Sequence, residues 1–122
     1  MNSLAGIKVQ IMISDPWDFV ADNGSGPHIA TIIGVHVDST TNQVVSILVK
    51  LEQAVAYEEY CYQYFVAKPR YENHHFDVLM SNQGLVCGLT GISEEKAFSL
   101  NPFELSPWRG GLGLIGVINL AT

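Results

Sequence analysis

The segment HIATIIGVHVDSTTNQVVSILVKL, His28 to Leu51, decides the fold. Its first part alternates: Ile29, Thr31, Ile33, Val35 and Val37 share one face of an extended chain, and Ala30, Ile32, Gly34 and His36 share the other. Its last part alternates again, with Val45, Ile47, Val49 and Leu51 set against Ser46, Leu48 and Lys50. Side chains along a strand point to opposite faces in turn, so a period of two rich in β-branched residues marks a half-buried strand. Between the runs stands Asp38-Ser39-Thr40-Thr41-Asn42, a polar cluster of turn formers. Two strands joined by such a turn make a β-hairpin.

The same pattern extends outward from this hairpin. Ile7, Val9, Ile11 and Ile13 alternate with Lys8, Gln10, Met12 and Ser14, a strand that Asp15-Pro16 ends. Residues 15–27 read as a loop, closing on the turn formers Asn23-Gly24-Ser25-Gly26-Pro27. Residues 52–65 admit two readings. Ala54, Tyr57, Cys61, Tyr64 and Phe65 share a helical face, while Tyr60 to Val66 favours a strand. The preferred reading is a turn or short helix over 53–59 and a strand over 60–68. Further strands are expected over 76–80, 85–89 and 112–120. Ser93-Glu94-Glu95-Lys96-Ala97-Phe98 starts a short helix, with Ser93 at the cap and two glutamates at the positive end of its dipole. The expected fold is mainly β: a single domain over residues 1–122, a small antiparallel barrel or sandwich of six to seven strands with one short helix.

Composition narrows the function. With 48% hydrophobic and only 15% charged residues, the chain is too apolar for disorder. No apolar run approaches the roughly 20 residues of a membrane-spanning helix. The start, Met1-Asn2-Ser3-Leu4-Ala5-Gly6, does not read as a secretory signal, so the cytoplasm is the expected location. Cys61 and Cys87 form no C-x-x-C pair and sit in apolar or aromatic stretches, which suits two buried free thiols. Twelve acidic residues against six basic ones give a net charge of −6. Nucleic acid and anionic membranes are bound through Lys and Arg, so neither is an expected partner. A partner chosen by electrostatics would be basic.

His28, His36, His74 and His75 lack the H-x-x-x-H or H-E-x-x-H spacing of a zinc site. Gly111-Leu112-Gly113-Leu114-Ile115-Gly116 matches G-x-G-x-x-G, but too little chain follows for the helix and acidic residue of a dinucleotide site. Its glycines fit close packing or a bulge in an edge strand. Asn23-Gly24-Ser25 reads as a turn, and there is no G-x-S-x-G elbow. Asp15 and Asp18 could act as a carboxylate pair, but solvated loop acids are the commoner case. No catalytic residue, metal or cofactor is assigned.

Two clusters remain as contact surfaces. One is Asp15-Pro16-Trp17-Asp18-Phe19 with Asp22; the other is Pro107-Trp108-Arg109-Gly110-Gly111 beside Glu104. Trp and Arg dominate many interfaces. Each tryptophan suits an interface or, slightly better, a core position plugging an open end of the fold. Glu58 and Glu59 add acidic charge at a turn. With Asp15-Pro16-Trp17-Asp18-Phe19, Lys68-Pro69-Arg70-Tyr71 and Trp108-Arg109-Gly110-Gly111 in view, the chain resembles in type a small bacterial immunity protein: short, acidic, cysteine-poor and β-rich. That resemblance implies a cytoplasmic, non-enzymatic inhibitor that binds a cognate toxin domain, often a basic nuclease. Residues Asp15, Trp17, Asp18, Asp22, Glu58, Glu59, Trp108 and Arg109 would form its surface. Two alternatives stand beside it. One is a barrel binding an apolar small molecule among Tyr60, Tyr62, Tyr64, Phe65, Phe76 and Trp108; the other is a hydrolase using Asp15 and Asp18. The apolar strands also leave open a homodimer through an edge.

Overall fold

The computed structural model describes residues 4–57, 60–71, 76, 79, 84–98 and 112–121. Six strands follow in chain order: β1 (Lys8–Asp15), β2 (His28–Val37), β3 (Val44–Tyr57), β4 (Tyr60–Pro69), β5 (Leu85–Ile92) and β6 (Leu112–Leu120). Each pairs antiparallel with the next, and β6 pairs with β1 to close a barrel. Of the two β architectures compatible with the alternation, the barrel forms. Helix α1 (Trp17–Asn23) links β1 to β2, and α2 (Glu94–Ala97) follows β5. Closure gives each of the six strands a neighbouring strand on both sides. Among the described residues, no helix is long and apolar enough to cross a membrane.

Alternation places the core. Val9, Ile11 and Ile13 of β1 point inward and are buried. In β2 the inward residues are Ala30 and Ile32; a register shift between Ile32 and Gly34 then changes phase, and Val35 packs on the core. The expected unbroken face from Ile29 to Val37 is therefore split by a bulge, which leaves Ile33 at the surface. The hairpin of residues 28–51 forms as expected, with Ala30 opposite Leu51 and Val37 opposite Val44.

Two strands depart from simple alternation because both their faces are covered. Ile47 and Val49 point into the barrel, while Leu48 joins Tyr64, Val66, Ile92 and Ala97 in a second apolar cluster outside it. This cluster seats α2, and the Phe98 ring meets Tyr64 edge-on at 5.5 Å. Strand β3 also runs further than expected. Residues 53–57, read as turn or short helix, are extended. A bulge between Lys50 and Val55 puts Leu51 and Val55 both inward, four residues apart. Gln63 Nε2 donates to the Leu51 carbonyl across it at 2.8 Å. Phe76 and Leu79, expected in a strand over 76–80, lie in single-turn helical conformation with both side chains buried in the core. The other residues of that segment lie outside the described ones.

Strand β6 has a neighbour on both sides, so its glycines do not serve an edge. Gly116 serves close packing: a Cβ there would fall 2.5 Å from the Met12 carbonyl oxygen. The described part of the G-x-G-x-x-G match, Leu112 to Gly116, is strand and continues as strand to Leu120.

Candidate protein-binding site on the α1 lid

The segment read as a loop over 15–27 carries the seven-residue helix α1. Pro16 occupies the N-cap position with extended backbone and provides no capping side chain. Asp18 in the first turn suits the helix dipole, but the last turn has no basic residue. Asp18 and Asp22 also stand four apart, where like charges repel by a few tenths of a kcal/mol. A helix this short is not stable alone in water. Its surroundings hold it.

Three anchors do so. Phe19 is 1% exposed and enters the barrel end, its ring 6.0 Å from Tyr57 and 6.2 Å from His28. Asn23 imitates a neighbouring strand: its Nδ2 donates to the Ala56 carbonyl at 2.7 Å, and its Oδ1 accepts from Ala56 N at 3.2 Å. Asp18 uses both carboxylate oxygens, accepting from Tyr57 Oη at 2.7 Å and from Phe19 N at 3.0 Å. The exit is shaped by glycine. Gly24, at φ +81°, sends its N–H back to the Val20 carbonyl at 2.7 Å. Gly26, at φ +121°, passes so near β1 that a Cβ would fall 2.6 Å from the Ile11 carbonyl oxygen.

Helix α1 is thus a lid with two unlike faces. Inward, Phe19 leaves a cavity of about 10 Å³ among residues such as Ile11, Leu51, Phe65 and Leu114. That is room for one water at most, against the several hundred Å³ of small-molecule pockets. This cavity has no room for an apolar ligand. Outward, the lid presents Trp17, 78% exposed, with exposed Asp15, Asp18 and Asp22 beside it in the chain. The tryptophan is therefore not the core plug that sequence favoured; Phe19 is. The missed signal was the apolar run Phe19-Val20-Ala21 inside an otherwise polar stretch. Asp18, considered as half of a carboxylate pair with Asp15, has both oxygens engaged in hydrogen bonds, one of them to Tyr57 of β3.

The remaining sequence candidates divide. Glu58, Glu59, Trp108, Arg109, His74 and His75 lie outside the described residues. Cys61 is exposed rather than buried. Cys87 is buried, and desolvation pushes its thiol up to about 12, which keeps it protonated and unreactive. Among the described residues, no group of three His, Cys, Asp or Glu side chains stands close enough to hold a metal ion. Compared with protein-family models, curated proteins and solved structures, the chain matches none.

Proposed function

We propose that this chain is a non-catalytic protein-binding domain of the immunity type, whose acidic α1 lid binds and blocks a basic toxin domain. One observation carries the reading: a tryptophan 78% exposed on a helix held to the barrel by a buried phenylalanine. A large aromatic left in water is unfavourable until a partner covers it, and tryptophan is among the commonest interface anchors. The anchoring supports the same view, because a pinned lid presents Trp17 with little entropy left to lose on binding. Exposed Asp15, Asp18 and Asp22 stand near it in a chain of net charge −6, which would steer a basic partner and repel an acidic one.

The test compares wild-type protein with Trp17→Ala as bait in lysate of the source cell. A basic protein retained by wild type and lost from Trp17→Ala is expected, with an association rate that falls as salt rises. Adding wild-type chain in equal amount should then abolish the captured protein's activity. Identical capture by both baits would refute the lid as the site. A salt-independent rate would remove the electrostatic part.

A further inference from the structure

We propose, on the basis of the lid reading, that Tyr60 at the tip of the β3–β4 hairpin joins Trp17 in one contact surface, and that this surface takes an arginine-rich segment of the partner. Tyr60 is 63% exposed. Two routes of contact lead to it from the barrel core. Along β4, the Phe65 ring lies 6.3 Å from Tyr62, and Tyr62 lies 6.4 Å from Tyr60. A Cβ at Gly91 would fall 2.8 Å from the Tyr62 ring, so glycine there makes room for the ring that supports Tyr60. Along the lid, Phe19 meets Tyr57, and Tyr57 stands directly opposite Tyr60 in the hairpin. Phe19 and Phe65 line the same small cavity, so both routes leave the same end of the barrel.

Hydrogen bonds join the supports of the two exposed aromatics. Asp18, next to Trp17, accepts from Tyr57 Oη, and Asn23 bonds both backbone groups of Ala56. The lid and the hairpin are thereby tied near both ends of α1, and a partner meets both aromatics on one prepared frame. Charge decides what covers them. Residues 15–24 and 53–63 contain Asp15, Asp18, Asp22, Glu58 and Glu59 and no lysine or arginine. A second copy of this chain would set these acids against their own kind, whereas a basic segment complements them. The aromatic faces narrow the choice of cation. Guanidinium stacks flat on a ring and is more weakly hydrated than ammonium, and tryptophan offers the strongest face. Arginine satisfies ring and carboxylate together.

The test titrates the full chain with octa-arginine and, separately, octa-lysine at low and constant ionic strength, followed by backbone-amide NMR. Saturable shifts centred on Trp17 and Tyr60 are expected, with octa-arginine the tighter probe. Trp17→Leu and Tyr60→Leu each keep apolar bulk and charge and remove one ring; at exposed positions both should fold. Each should weaken octa-arginine binding about two- to fivefold, the effect of one exposed cation–π contact. The double variant should bind the two peptides alike. Bound octa-arginine should also slow alkylation of the exposed Cys61 beside Tyr60. Glu94→Gln/Glu95→Gln, which removes two exposed charges from α2, should keep the preference for arginine. Equal affinity of wild type for the two peptides, a loss of that preference in the Glu94/Glu95 variant, or unchanged binding by Tyr60→Leu would each overturn the shared surface and leave the lid itself standing. Impaired binding in both leucine variants, with lysate capture indifferent to Trp17→Ala, would support this surface and remove the toxin partner.

Discussion

Replacing Phe19 with alanine should cost far more stability than replacing Trp17, although tryptophan is the larger residue. Phe19 is 1% exposed and Trp17 78% exposed. Burying a phenylalanine side chain contributes about 1.5–3 kcal/mol by transfer from water. Its tilted contacts with Tyr57 and His28 add to that, at about 0.5–1.5 kcal/mol for an aromatic pair. The lid cannot sink into the vacated space, because Asn23 and Asp18 fix its height over β3. The void therefore persists, and a loss of about 3–5 kcal/mol is expected. For 122 residues the whole domain is stable by on the order of 6–18 kcal/mol, so the variant should fold with a clearly lower midpoint. Trp17→Ala should stay within about 0.5 kcal/mol of wild type. Urea unfolding followed by far-UV circular dichroism measures both, with slopes expected to match. A Phe19→Ala loss below about 1 kcal/mol, or an equal loss from Trp17→Ala, would show that the lid's faces are assigned the wrong way round.

Two further predictions follow from residues inside the barrel wall. Thiol labelling of the native protein should modify Cys61 alone, and Cys87 should react only on unfolding; because Cys87 rises from 9.0 to about 12 on folding, the unfolded state loses its proton first as pH climbs. Stability should therefore fall above pH 9 by about 1.4 kcal/mol per pH unit until the folded thiol also ionises, and Cys87→Ala, whatever its stability at pH 7, should lack that extra slope. Gly116→Ala should destabilise by about 1–3 kcal/mol, since its Cβ would press on the Met12 carbonyl, whereas Gly113→Ala should be near neutral; equal thermal midpoints would contradict the close β1–β6 approach.

The strands were legible wherever one face was buried and the other wet. Val9, Ile11 and Ile13 needed only the period of two. Where both faces are covered, as at Ile47-Leu48-Val49 and Tyr64-Phe65-Val66, the period disappears and the sequence shows a continuous apolar run. The bulge after Lys50 was misleading for a geometric reason. It breaks the period of two between Lys50 and Val55, so the continuation of β3 through residues 53–57 does not show as alternation. Closure was not legible, because barrel and sandwich strands share the same alternation; only the pairing of β1 with β6 distinguishes them. Of the candidate site, Asp15, Trp17 and Asp22 stand exposed as a contact surface requires. The helix beneath them escaped notice because it lacks a capping side chain and draws its stability from Ala56 and Tyr57, over thirty residues away.

The seam between β1 and β6 has a consequence for how the domain assembles. Every other neighbouring pair of strands is consecutive in the chain, whereas Ile11 meets Ile118 across nearly the whole sequence. Joining distant points of a flexible chain sacrifices more entropy than closing a hairpin, though the penalty grows only with the logarithm of the separation. A folding chain that has already zipped β2 through β5 holds those points close, and most of the penalty has been absorbed in earlier steps. The ring is then finished by a single docking event along a line where glycine has cleared the way.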